Sequence, residues 1–203
     1  MSMKIYLVRH GETDWNKERR LQGATDAPLN AYGKELAAIT AKALEQIPFN
    51  VAFCSPLSRA RETAKIIIGN RDIFLREDAR LREISFGVKE GCSIPEAKET
   101  PDHPIYHFFH HPECFVPAEG GESFEDVRRR TGEFMKECIL PLENQYDTVL
   151  IVAHGVANRC ILNSLLGIPI EEFWKIYLNN CAVSVLSLEN GVFRVLEEAK
   201  LYY

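Results

Sequence analysis

Two histidines in this chain stand where a short apolar run ends and a glycine follows. KIYLVRHGETDWN, residues 4–16, turns from Val8 into Arg9, His10, Gly11 and Glu12, and TVLIVAHG, residues 148–155, ends on His154 and Gly155. Between them lie SPLSRARETA, with Arg59 and Arg61, and RLREI, with Glu83. Arginine offers a planar fork matched to phosphate oxygens, and a glycine beside each histidine lets backbone N–H groups approach an anion closely. A neutral imidazole can attack phosphorus to form a phosphohistidine, and a carboxyl group can give a proton to the leaving oxygen and later take one from water. His10 and Glu83 suit these roles, with the arginines and His154 stabilising charge on the transferring group. Near these residues the sequence has no acidic cluster of the kind that holds magnesium, no Walker loop and no GxGxxG turn. The expectation is a phosphoryl site that works without metal or cofactor.

Such a site requires distant segments to meet. Short apolar runs alternate with helical patterns, which predicts an α/β protein with a mainly parallel sheet. Strands are expected at residues 4–8, 51–54, 73–75 and 148–153. A helix is expected over 31–46, with Asn30 as N-cap and Leu36, Ile39, Ala43, Leu44 and Ile47 on its inner face. Others are expected from Ser55 (cap) and Pro56 (first turn) to Ile68, over 123–142, and over 156–166 with Gly167 and Pro169 beyond. Residues 183–188 and 192–196 flank Glu-Asn-Gly and predict a hairpin, hence an antiparallel edge. Ligands of open α/β sheets bind beyond the carboxyl ends of the strands, so Arg9, His10, Arg59, Glu83, His154 and Gly155 should share one rim. Residues 92–121, broken by Pro95, Pro101, Pro104, Pro112 and Pro117, read as a small inserted cap within a single domain of residues 1–203.

With 203 residues, 46% hydrophobic and 26% charged, the composition is that of an ordinary globular protein. Its longest apolar runs are far too short to span a bilayer, and the start MSMKIYLVRH turns polar too early for a signal peptide, so a cytoplasmic location is expected. The six cysteines show no CxxC pair and are expected as free thiols. A net charge of −5 argues against nucleic acid or an anionic membrane as partner; the expected partner, a small phosphorylated metabolite, would need a local positive pocket. Composition says nothing of oligomeric state.

RHGETDWN, RLQGATDAPLNAYG, SPLSRARETA, LREISFG and VAHG, in that order, resemble the histidine phosphatase superfamily, also called phosphoglycerate mutase-like. The resemblance implies a three-layer α/β/α sandwich, His10 as the phosphorylated nucleophile and Glu83 as acid and base. It assigns Arg9, Arg59 and His154 to the phosphate, with Asn16, Gln22 and Gly23 lining the phosphate pocket. Arg61 is left out, as a solvated residue beside Glu62. The run His107-Phe108-Phe109-His110-His111 with Cys114 matches no tetrahedral zinc spacing and reads as a cap helix, and Tyr106, Phe108, Phe109 and Phe115 as packing.

Mutases of the family hold a second phosphate and follow the acid glutamate with Arg-His-Tyr. Here Ile84, Ser85 and Phe86 follow Glu83, and residues 99–127 carry no lysine or arginine. The expectation is therefore a phosphomonoester phosphatase of the kind that includes α-ribazole-5′-phosphate phosphatases and broad-specificity phosphatases. The alternatives are a cofactor-dependent phosphoglycerate mutase and a weakly active protein-binding member.

Overall fold

The computed structural model describes residues 2–203; Met1 of the MSM start lies outside the described residues. The strands are β1 (Met3–Arg9), β2 (Val51–Cys54), β3 (Leu75–Glu77), β4 (Thr148–Ala153), β5 (Val183–Glu189) and β6 (Val192–Lys200). The helices are α1 (Asp14–Lys17), α2 (Ala31–Ala43), α3 (Ser58–Ile68), α4 (Ile94–Glu99), α5 (Tyr106–His110), α6 (Phe124–Phe134) and α7 (Gly155–Leu166).

One six-stranded sheet runs in the order β3-β2-β4-β1-β5-β6. The first four strands are parallel, and β5 and β6 form the antiparallel edge. Alternation along each strand sends side chains to opposite faces. Ile5, Leu7, Phe53, Val149 and Ile151 pack on one face with Val127 and Phe134 of α6 and Ala157 and Ile161 of α7. Tyr6, Val8, Ala52, Leu150 and Val152 pack on the other with Ala60, Ala64 and Ile67 of α3. Helix α2 packs on α3, which completes a three-layer α/β/α sandwich. All six residues of β4 are buried, as expected of a central parallel strand covered on both faces. No helix among the described residues is long and apolar enough to cross a membrane.

Several boundaries differ from those expected. Helix α2 ends at Ala43, and its inner face is Gly33, Leu36, Ala37 and Thr40; Ile39 is only half buried and Ala43 is exposed. Asn30 does cap it, its side-chain oxygen accepting from the Gly33 N–H. Helix α3 starts at Ser58 rather than after Ser55, because Ser55 Oγ accepts from Leu57 N and shapes a turn instead of capping a helix. Strand β3 lies at 75–77, two residues later than the apolar reading placed it, since this edge strand needs a backbone ladder with β2 rather than a buried side chain. Ser123 closes a capping box with Asp126 at the start of α6, which passes into a π-helical turn at Met135–Ile139 before Pro141. The hairpin turns at Asn190 and Gly191, both with positive φ (53° and 74°), and β6 continues to Lys200. Residues 92–121 hold two short helices, α4 and α5.

Two glycines fix how α2 meets the end of β1. A Cβ on Gly11 would strike the Gly33 carbonyl oxygen, and one on Gly33 would strike the Glu12 backbone. Gly33→Ala should cost about 2–3 kcal/mol by overpacking and lower Tm by roughly 5–10 °C in a chain of this size. A melt within 2 °C of wild type would show that α2 yields freely at this contact.

Candidate active site

Arg9 pairs with Ala153 where β1 lies beside β4, so the two strands deliver His10 and His154 side by side. The imidazole centroids are 5.0 Å apart and the planes tilt by 58°. Nδ1 of His10 lies 2.6 Å from the Gly11 carbonyl oxygen. A carbonyl only accepts, so Nδ1 carries the proton and Nε2 presents its lone pair. Burial, with Arg59 and Arg9 nearby, holds the His10 imidazole well below its usual pKa, so the ring is neutral. Burial and the same arginines do this to His154, whose two ring nitrogens have no protein partner.

Three guanidinium groups converge on these rings. Arg59 of α3 is completely buried; its Nη1 and Nη2 donate to the carbonyls of Thr25 and Gly23, each at 2.8 Å, and its Nε has no partner. Arg9 donates to the Leu178 carbonyl at 2.6 Å, and its Nε too is unpartnered. Arg159 of α7 donates to the carbonyls of Ile176 (2.9 Å) and Gly155 (3.0 Å). Burial pulls Arg59 and Arg159 down to about 10, which leaves both charged at neutral pH. None of the three is in an ion pair among the described residues. Buried cations without carboxylate partners leave a positive potential for an anion to occupy.

Glu83 is the one carboxylate on the cavity wall. Its oxygens accept from the N–H groups of Val156 (3.1 Å) and Ala157 (3.2 Å) in the first turn of α7. The helix N-terminus thus holds the carboxylate beside the imidazoles. Gly155 keeps this space open: a Cβ there would lie 3.4–3.6 Å from Arg159, Glu83 and Arg9.

Asn16 and Gln22 face the same cavity with their amides oriented. Asn16 Oδ1 accepts from Thr13 N and Asn180 Nδ2, and Gln22 Oε1 accepts from Thr13 Oγ1. Their amide nitrogens have no protein acceptor among the described residues and remain as donors to a ligand. Gly23 contributes its carbonyl to Arg59, and its φ of 56° is needed for that turn. Glu90 braces the turn by accepting from Ala24 N and Thr25 N.

The cavity, of about 500 Å³, is lined by Arg9, His10, Asn16, Gln22, Gly23, Arg59, Glu83, Gly155 and Arg159. His154 lies behind His10 rather than on the wall. Gly11 corrects its sequence reading: its N–H donates to Thr63 Oγ1 and its missing side chain makes room for Gly33, so it offers nothing to an anion. Arg61 pairs with Glu77, not with Glu62.

Sequence reasoning missed Arg159, although a single charged residue in the otherwise uncharged stretch GVANRCILNSLL soon after His154 was a usable signal. It also missed Arg19, Arg20 and Lys98, which line the outer part of the cavity. Lys98 stands one residue before the cation-free window, its Nζ 4.7 Å from the centre of the Phe109 ring. Phe108 has two duties, stacking on Phe124 at 4.9 Å and lining the cavity.

An α/β sandwich with a neutral imidazole, a carboxylate and three unpaired arginines at its parallel strand ends is suited to binding a tetrahedral oxyanion and transferring it. The family model of the histidine phosphatase superfamily (branch 1) matches residues 5–199. The chain is 34% identical to a Klebsiella pneumoniae protein named probable phosphoglycerate mutase GpmB, over 90% of this chain and 83% of that one. Among solved structures, Bacillus stearothermophilus YhfR is 34% identical with a TM-score of 0.90 over 98% of both chains. A mycobacterial glucosyl-3-phosphoglycerate phosphatase in complex with VO3 is 25% identical with a TM-score of 0.85, over 98% of this chain and all of that one. The chain belongs to the histidine phosphatase superfamily.

Because both histidines have depressed pKa values in the fold, the unfolded chain takes up protons first as the pH falls. Stability should be flat with respect to these groups above about pH 7.5 and decline as the pH falls through about 6.5, by up to roughly 1.4 kcal/mol per pH unit for each. Urea unfolding of wild type and His154→Asn between pH 5 and 8 checks this, the variant showing the weaker slope. Equal slopes would mean that His154 takes up its proton at the same pH in the folded and unfolded chain, with no depression by the fold.

Proposed function

We propose that this protein is a phosphomonoester hydrolase working through a phosphohistidine, with no metal or other cofactor. The observation that carries the reading is the free Nε2 lone pair of a neutral His10 placed among Arg9, Arg59 and Arg159 with the Glu83 carboxyl on the same wall. Nε2 attacks phosphorus; as the N–P bond forms the ester P–O bond breaks, and the leaving oxygen takes the proton of the Glu83 carboxyl. Water then attacks the phosphohistidine and gives its proton to Glu83, and the N–P bond breaks to return neutral His10 and phosphate. The arginines, Asn16 and Gln22 hold the three equatorial oxygens, and His154 backs the nucleophile.

The outer wall of Phe86, Ile94, Phe108, Phe109 and Trp174 suits a ring-bearing or uncharged leaving group, so the substrate is a small phosphorylated metabolite, with α-ribazole 5′-phosphate one candidate. The GpmB relative's name and the cations Arg19, Arg20 and Lys98 favour a second reading, phosphoglycerate mutase. Fast interconversion of 3- and 2-phosphoglycerate with little phosphate release would establish it.

Phosphate release from nucleoside, sugar and three-carbon phosphates should persist in chelator and fall at least 1000-fold, as an order of magnitude, in His10→Ala. Labelled substrate should leave an acid-labile, alkali-stable phosphoryl group on wild type only. Loss of activity in chelator, or unchanged turnover in His10→Ala, would overturn the mechanism.

A further inference from the structure

Glu83 sits in a segment, residues 82–85, with no regular secondary structure, yet the proton transfers assigned to it need a fixed geometry. Its carboxylate is held by the start of α7, and its backbone must be held by something else. Arg130 of α6 reaches under this segment with its side chain only 15% exposed. Nη1 donates to the carbonyls of Arg80 (2.6 Å) and Arg82 (2.7 Å), and Nη2 donates to the carbonyl of Glu83 itself (3.1 Å). Nε and Nη2 donate to the two oxygens of Glu122, each at 2.9 Å. All five guanidinium protons therefore have acceptors. Glu122 returns a contact to the same segment, its Oε2 accepting from Ser85 N at 3.0 Å.

We infer that Arg130, buttressed by Glu122, is a positioning residue that sets the Glu83 carboxyl at the distance from the ester oxygen that proton transfer requires. The inference rests on the reading of Glu83 as the acid. Arg130 does not line the cavity and touches no reacting atom. It acts by turning an irregular loop into a rigid one: three anchor points within four residues, on carbonyls 80, 82 and 83, leave the Glu83 Cα no room to slide. Lysine, with three donors at one point, cannot span acceptors on both the loop and Glu122.

The leaving group separates this role from a purely structural one. An alkoxide cannot depart without its proton, whereas p-nitrophenolate can, so a displaced acid hurts the first ester far more than the second. We expect Arg130→Lys to lower kcat on glycerol 3-phosphate about 100-fold, while the first-turnover burst of p-nitrophenolate from p-nitrophenyl phosphate stays within about threefold of wild type. Glu122→Gln, a milder variant that keeps the arginine, should show the same split to a smaller degree. Glu83→Gln run beside them should split the two esters at least as widely.

Equal losses on both esters in Arg130→Lys, or no loss on either, overturn the positioning role if Glu83→Gln does split them. If Glu83→Gln loses both esters alike, the acid assignment falls and the inference falls with it. His10→Ala, inactive on both, marks the floor against which each result is read.

Discussion

Arg59 has no surface and no carboxylate partner, and the fold is organised around making that tolerable. A guanidinium taken out of water needs its protons accepted. Here carbonyls do the accepting, those of Gly23 and Thr25 for Arg59, of Leu178 for Arg9, and of Ile176 and Gly155 for Arg159. Each carbonyl belongs to a turn or helix end that would otherwise be free to drift. Glu90 binds the backbone of the 23–25 turn, and Trp174 lies against Arg159 with the ring centre 4.9 Å from its Cζ. Carbonyl acceptance satisfies part of each fork without cancelling its charge, so the cavity stays positive and unfilled by the protein's own acids.

Against that background the neutral histidines are a consequence rather than a separate design element. Burial, with the Arg59 and Arg9 guanidinium groups close by, makes a further positive charge on His10 or His154 unfavourable. The His10 ring is thereby kept neutral, with its Nε2 lone pair free, by burial among the same arginines that make the cavity positive. Glu83 stands outside this logic because a carboxyl group adds no positive charge to the shell, and the first turn of α7 fixes its place with backbone N–H groups.

The residues of the central chemistry were readable in the sequence because strand endings are local signals: an apolar run that halts on Arg9-His10 or on His154 says both what is buried and what is presented. The central strands were likewise legible, β2 and β4 to the residue, since their burial forces continuous apolar runs. What escaped was set by tertiary contact. Strand β3 is an edge whose place depends on β2; the start of α3 depends on how Ser55 bonds its neighbour; Gly11 meets Gly33 rather than a ligand. Lys98 and Arg130 look like surface residues on their helices until the opposing loops are in place. Their roles depend on which carbonyls, rings or cavities lie opposite, and no local pattern encodes that.

Strand β1 lies between β4 and β5, so it precedes both of its neighbours in the chain by a long interval. Its partners begin at Thr148 and Val183, and at ribosomal speeds the wait is on the order of ten seconds. During that time MKIYLVR, apolar but for its lysine and arginine, has neither edge covered, which is the condition under which a strand pairs with the wrong chain. Delivering His10 from the end of a central parallel strand thus carries a hazard that arises on the ribosome. Because pairing over such separations is slow, the length of that exposure is set by the topology rather than by the composition of the strand.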